Sequence, residues 1–423
     1  MSIYSVNPMN ICSVVSTNWK KMCSLDSKKK ILCIIMVGLI FYGGLITFDH
    51  FVTRDIIDDI SGQGDSHKTD LDYYRERAQK ILDGEIPYTE DFQSESPPLI
   101  MYLLVVPQAF GGADWMYQIY FSLFVILTSI CIYWVFRERH EKEGFEMAML
   151  YMFIPFVFIE CVFGIQDEMI TTFFFILPVL IYGIGKIYTG IASGTVGVWV
   201  KFFNVLFLPA QFIYGKNRKE RLTIVFIGVV VSLIILLPFF VYSDPDIFLT
   251  FLKYYLTGGS SDGINDSQVV GGFGGISPWH FLAIGGLNIP SIIFTVATVI
   301  GVFTASIYGY LKKMSITQTS ALVMVVFFLC YPKILNVYFI MPAVLFLLWG
   351  IKDRHVTVNM FLLIIFVMPA ILFTEIQETY LFGQEWWWVG LLISLVGFGL
   401  FVWTYVKYIH GKTPFIDDIP IVQ

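Results

Sequence analysis

Apolar runs of bilayer length alternate with short polar breaks along this 423-residue chain. Runs such as 31–48, 222–242 and 356–373 match the ~20 apolar residues that a helix needs to cross a hydrocarbon core. The pattern predicts an all-α polytopic membrane protein with about ten spanning helices. They fall near 31–50, 115–136, 145–162, 169–186, 222–242, 291–311, 317–331, 334–351, 356–373 and 388–409. Two apolar stretches do not fit a span. The segment 99–110 follows Pro97-Pro98 and is too short to cross, so it is expected as a helix on the outer side. The segment 190–214, interrupted by Lys201 and Pro209, reads as two half-helices dipping in from the cytoplasmic face. A lysine in such a run must pair or snorkel, and Lys201 is expected to play a structural part near the cytoplasmic interface.

Composition supports this picture. Hydrophobic residues make up 56% of the chain and charged residues 14%, and mean hydropathy is +0.70, which excludes a single soluble core. The net charge of -6 is too small and scattered for a nucleic-acid partner. Six cysteines show no CxxC spacing and lie mostly in or beside apolar helices, so packing is expected of them and a disulfide framework is not.

Basic residues orient the chain. Lys20, Lys21 and Lys28–Lys30 place the N-terminus in the cytoplasm, as a segment 1–30 preceding one transmembrane domain, 31–423. The first helix is retained as an anchor and exits near Asp49. The first outer loop is 51–97 and a long, Gly-rich outer loop is 243–290, while positive clusters at 137–142, 216–221, 312–313, 352–354 and 407–412 stay inside. The protein is expected in the plasma membrane with its chemistry on the extracytoplasmic face, among membrane lipids.

The polar block 70–88 stands out in a chain with so few acids. Residues 69–84 read as an interfacial helix with Tyr74, Ala78, Ile81 and Leu82 on one stripe, capped by Thr69 or Asp70 and ended by Gly84. Asp70 and Asp72 then sit in its first turn. An acid there can simply cap the helix and offset its dipole. It can also be a general base, if it is fixed within reach of an acceptor hydroxyl.

The run Asp70-Leu71-x-x-Tyr74, then Ala78, Leu82-x-Gly84-x-x-Pro87-Tyr88, an acid and Pro97-Pro98 resembles the first outer loop of GT-C glycosyltransferases. The likeness is greatest to the polyprenol-phosphate-mannose-dependent mannosyltransferases of family 87 and their archaeal relatives. The resemblance implies a GT-C fold and a catalytic aspartate at Asp70, with Asp72 the second choice. Gly164-Ile165-Gln166-Asp167-Glu168 is similar to the Gly-Gln-x-Asp element of that fold, with Ile165 intervening. It implies hydrogen bonds from Gln166, Asp167 and Glu168 to sugar hydroxyls, capping being the alternative for Asp167.

A lipid-phosphate donor needs a cation for the departing phosphate. Lys333, beside Tyr338 in an outer turn, fits that need, and interfacial snorkelling is its other reading. His280 could aid departure of the phosphate, and Arg75 is a further candidate that lipid headgroups would also explain. Asp262, Asn265, Asp266, Gln268 and Trp279 could contact sugar. Trp386–Trp388 reads as an interfacial aromatic belt.

What the resemblance implies is transfer of a hexose, mannose first, from a polyprenyl- or dolichyl-phosphate donor to a glycolipid or glycan hydroxyl, with inversion. No cofactor and no metal ion are expected. A transporter or lipid flippase is the alternative from another class. A protein O-mannosyltransferase or another lipid-modifying sugar transferase is the alternative among enzymes.

Overall fold

The structure, a computed structural model, describes residues 19, 21–54, 69–94, 96–138, 140–249, 275–287, 289–376 and 379–418. Asp262, Asn265, Asp266 and Gln268 lie outside the described residues. Among the described residues six helices are long and apolar enough to cross a membrane, or seven if one bent pair counts as a single span. The chain is thus an all-α, multi-pass membrane protein. A two-residue antiparallel pair, Glu375–Ile376 with Thr379–Tyr380, interrupts the helices.

Helix α1 (Ser27–Phe48) starts at Asp26, whose carboxylate caps the Lys29 N–H, and runs on into a π-turn, Asp49–Thr53. The chain stays helical past Asp49 to Thr53, with Asp49 buried and paired with Arg54. Helix α2 (Asp70–Leu82) and helix α3 (Pro98–Ala109) pack on each other beside helix α4 (Asp114–Phe136). The apolar stripe of α2 is Leu71, Tyr74 and Ala78, whereas Leu82 is exposed. Leu71 is three residues before Tyr74 and shares its face, while Leu82 sits where the helix frays into Gly84 at φ 86°.

The expected span 145–162 is broken. Helix α5 (Glu141–Met152) and helix α6 (Pro155–Phe158), which continues into a second π-turn at Ile159–Phe163, meet at 50°. Pro155 cannot donate an i→i−4 bond and begins the second piece. Helix α7 (Glu168–Gly183) follows and helix α8 (Ile187–Val200) returns alongside it. The chain then extends at Lys201 (φ -157°, ψ 140°) and turns back through a 3₁₀ segment, Phe202–Phe207, into helix α9 (Leu208–Ile213). Gly197 faces Asn204 and Gly194 faces Gln211, so the two arms lie side by side as a hairpin with Lys201 at its tip.

Beyond its charged first turn, helix α10 (Arg218–Tyr242) is apolar nearly all round, with Leu222, Phe226, Ile234 and Leu237 exposed. That is the surface of a helix solvated by lipid, not water. After α11 (Pro245–Phe248) and α12 (Pro278–Ile284) come α13 (Ser291–Leu311) and α14 (Ile316–Cys330). Helix α15 (Ile340–Gly350) is buried at every residue and forms the centre of the bundle, with α16 (Arg354–Val367) and α17 (Trp387–Thr404) outside it. Helix α7, α14 and the 336–350 segment were expected to span, but at 15 or 16 residues each they are short of the long set. Each rises about 24 Å at most, and their burial among longer helices spares their ends from lipid.

Polar contacts collect at the two ends of the bundle. At the lysine-rich end Glu141 bonds Ser27 (2.7 Å), Tyr133 (2.9 Å) and Lys30 (3.1 Å), and Tyr214 donates to Met314 O (2.7 Å). At the opposite end Asp244 N–H donates to Tyr88 O (3.0 Å) and Ile276 N–H to Ile334 O (2.8 Å). This second end gathers most of the residues singled out by sequence.

The hairpin has little room. A Cβ on Gly197 would meet Phe174 O at 2.9 Å and the Asn204 amide, whereas one on Gly194 has nothing nearer than 3.5 Å. Gly197→Ala is therefore expected to lower stability by about 1–3 kcal/mol. Gly194→Ala should be near neutral, and thermal unfolding of the purified protein in detergent compares the two.

Candidate functional site

The end of the bundle opposite the lysine-rich rim carries a charged cluster that several separate segments assemble. Lys201, at the hairpin tip, places Nζ 2.8 Å from Asp167 Oδ1 and 2.5 Å from Glu168 Oε1. Its position corrects the expected one near the cytoplasmic interface, because the short arms of the hairpin carry the lysine up to the first turn of α7. Asp167 precedes α7, but its carboxylate makes no capping bond and turns to Lys201 instead. Glu168 is 2% exposed and its Oε2 has no hydrogen-bond partner among the described residues. Glu160, in the second π-turn and 5% exposed, accepts a hydrogen bond from Asn336 Nδ2 at 2.6 Å. Tyr338, two residues on, packs its ring on Phe203 and lies in the field of Lys201.

The turn that carries these acids is strained. Ile165 has φ 48°, a region that β-branched residues avoid, and it is buried. Such a conformation costs about 1–3 kcal/mol and persists only where its surroundings impose it. Here Gln166 N–H donates to Glu160 O (2.9 Å) and the Gln166 side chain to Gly164 O (3.2 Å). The intervening isoleucine thus lets the chain double back so that Asp167 and Glu168 both reach Lys201.

Helix α2 brings its first turn to this cluster. Thr69 and Asp72 form a capping box: Asp72 Oδ2 accepts from the Thr69 N–H (2.9 Å) and hydroxyl (2.7 Å). Asp72 is also 3.7 Å from Arg75. Asp70 is exposed and makes no hydrogen bond or ion pair among the described residues. One turn later, the Tyr74 hydroxyl accepts the Asp167 N–H at 3.4 Å. Burial, then the charges of Asp167, Asp70 and Glu168, hold the Tyr74 phenol well above its usual value. Asp70 is also within electrostatic reach of Glu160 and Glu168.

Arg75 is held by protein groups. Its guanidinium bonds Gly112 O (2.8 Å) and pairs with Asp114. It belongs to a network that the sequence reading did not identify. Asp49 pairs with Arg54 and accepts from Gln118 Nε2 (2.6 Å), and both Gln118 (2.8 Å) and Arg54 (3.3 Å) donate to Val162 O. Two π-turns, 49–53 and 159–163, thereby hold each other at one end of the bundle. The available signal was Gln118 inside an apolar run, since buried polar residues in spanning helices are rarely idle.

His280 and Lys333 lie on an adjoining wall. Helix α12 docks on the 331–336 turn through Ser277 to Pro332 O and Trp279 Nε1 to Leu329 O (2.7 Å). His280 is 3% exposed and its Nε2 has no partner among the described residues. Burial, then the Lys333 charge, push its pKa down to about 4. It is neutral near pH 7 and so cannot serve there as a cation, whereas Lys333, half-buried, can. Among the described residues no three His, Cys, Asp or Glu side chains converge as a metal site.

Comparison with known protein families and with curated proteins finds no match for this chain.

Two outcomes follow from the cluster's energetics. Lys201→Met leaves Asp167 and Glu168 buried without a counter-charge and should cost about 3–5 kcal/mol. Adding Glu168→Gln should restore part of that loss in thermal unfolding. For His280, the unfolded chain binds a proton below about pH 6.5 while the folded chain resists until about 4. Stability should therefore fall as pH drops through that window, and fall less in His280→Gln. Melting temperatures from pH 7.5 to 4 measure both slopes.

Proposed function

We propose that this chain is an integral-membrane glycosyltransferase of GT-C type working on the extracytoplasmic face. It moves a hexose, mannose first, from a polyprenyl-phosphate carrier to a glycolipid or glycan hydroxyl. The observation that carries this reading is the division of labour in the first turn of α2. Asp72 is consumed by the cap, while Asp70, at the rim of a buried polar cluster, has no hydrogen bond or ion pair among the described residues. A free carboxylate fixed on a rigid helix beside groups able to hold hydroxyls is what a general base requires.

In that reaction the acceptor oxygen attacks the anomeric carbon and its proton passes to Asp70. The bond from that carbon to the phosphate oxygen breaks, and the lipid phosphate leaves as a dianion with inversion. Lys333 stabilises the charge that develops on the phosphate. His280, neutral, can hydrogen-bond the phosphate but not neutralise it. The lysine-rich end of the bundle faces the cytoplasm by the positive-inside rule, which puts Asp70 outside.

A hairpin of short helices carrying a buried ion pair also suits a secondary transporter, whose ions bind near mid-depth. Here Lys201 meets the first turn of α7 and, through Asp167 and Tyr74, the surface helix α2. The charges thus sit at one end of the bundle, which favours surface chemistry.

Asp70→Asn should reduce hexose transfer from a polyprenyl-phosphate mannose donor by about 10²–10⁴-fold, the usual contribution of a general base. Asp72→Asn should cost about 0.5–2 kcal/mol of stability but leave turnover within a few-fold. Both are read on purified protein by transfer of labelled sugar to lipid. Retention of most of the rate by Asp70→Asn would overturn the assignment.

A further inference from the structure

The lysine-rich rim, at the other end of the bundle, carries a groove of its own. From 216 to 221 the chain reads Lys-Asn-Arg-Lys-Glu-Arg, four cations against one acid. Part of this charge is used locally. The Arg221 guanidinium donates to Gly215 O (3.0 Å) and Ile213 O (3.2 Å), and the Glu220 carboxylate accepts the Lys216 N–H (2.6 Å). Arg218 and Lys219 are exposed, and their charged groups make no hydrogen bond or ion pair among the described residues. Elsewhere on this rim Lys142 pairs with Glu146 (3.9 Å), Lys412 pairs with Asp353 (3.4 Å), and Lys407 lies over Trp403 (4.7 Å). Arg218 and Lys219 instead line an open groove of about 510 Å³ together with Leu222, Thr223 and Phe226. A spacing of four along the helix stacks Arg218, Leu222 and Phe226 on one face, with Lys219 and Thr223 beside them. The groove thus passes from two cations to exposed apolar side chains over about 12 Å of helix.

We infer that this groove binds an anionic phospholipid, its phosphate on Arg218 and Lys219 and an acyl chain along Leu222 and Phe226. A free phosphate would satisfy the two cations and leave the apolar half of the groove unused. An uncharged lipid would cover the apolar half and leave the cations unmatched. An amphiphile with a negative headgroup matches both. By the positive-inside rule this rim faces the cytoplasm, and the cytoplasmic leaflet is the one with a negative surface potential. The groove stands at the opposite end of the bundle from Asp70 and does not depend on the chemistry proposed there.

The test is native mass spectrometry of the full-length protein, purified in a mild detergent and titrated with dioleoyl phosphatidylglycerol or dioleoyl phosphatidylcholine. The first phosphatidylglycerol should be held about ten-fold tighter than phosphatidylcholine or more, since each cation near a lipid headgroup is worth about five-fold. Arg218→Ala combined with Lys219→Ala should bring the two lipids within about two-fold of each other. Lys312→Ala combined with Lys313→Ala, at another cation pair of the same rim, should leave the preference intact. Phe226→Ala should weaken phosphatidylglycerol about three-fold through lost apolar contact. All three groove residues changed here are exposed, so these variants should melt as the unaltered protein does. Glycerol phosphate, which has the charge without the chains, should not displace the bound lipid at equal concentration. A preference that survives in the Arg218 and Lys219 variant, or falls equally in the Lys312 and Lys313 variant, would overturn the site. Unchanged binding in Phe226→Ala, or displacement by glycerol phosphate, would overturn the lipid as its occupant.

Discussion

The ion pairs of Lys201 with Asp167 and Glu168 constrain the rest of this end of the molecule. A lysine at the tip of a hairpin buried among apolar helices has no water to turn to, so its position is decided by where its partners stand. Those partners are the last residue before α7 and the first residue within it, and they can both face the lysine only because the chain reverses at Ile165. Backbone strain at one residue is thus balanced by the pairing of three charges. Among the described residues Glu168 keeps one oxygen without a partner in this arrangement.

From that centre two further layers extend. The network of Asp49, Arg54 and Gln118 takes hold of Val162 O and fixes the π-turn that holds Glu160. The Tyr74 hydroxyl ties α2 to Asp167, so a helix outside the bundle is registered against the buried acids. The apolar stripe of Leu71, Tyr74 and Ala78 resists rotation of α2 but not sliding. The hydrogen bond from Asp167 N–H and the Arg75 contacts to Gly112 O and Asp114 together supply the register.

Much of this was legible in the chain because the relevant physics is local. The periodicity of the first outer loop gave α2 within a residue or two, and the short apolar run after Pro97-Pro98 gave α3. The choice between Asp70 and Asp72 was also local in principle, since Thr69 followed three residues on by an acid is a capping box. The break at Lys201 was visible, but the end of the bundle that it reaches was not. Sequence spacing locates a break along the chain, whereas depth depends on how far the arms run against α7. Arg75 shows the same limit: its helical face was read correctly as polar, yet the groups opposite it, Gly112 O and Asp114, belong to the following helix and its approach.

By itself the sequence determined the membrane class, the extents of α2 and α3 and the break at Lys201, because transfer free energies and backbone sterics act residue by residue. Only the tertiary structure decided that Lys201 pairs with Asp167 and Glu168 and Glu160 with Asn336, that Asp72 and Arg75 are engaged while Asp70 has no bond among the described residues, and that His280 is buried beside Lys333. Charges inside a bilayer are placed by their partners, and partners far apart in the chain are brought together by helix packing, which hydrophobic periodicity constrains in direction but not in depth or neighbour.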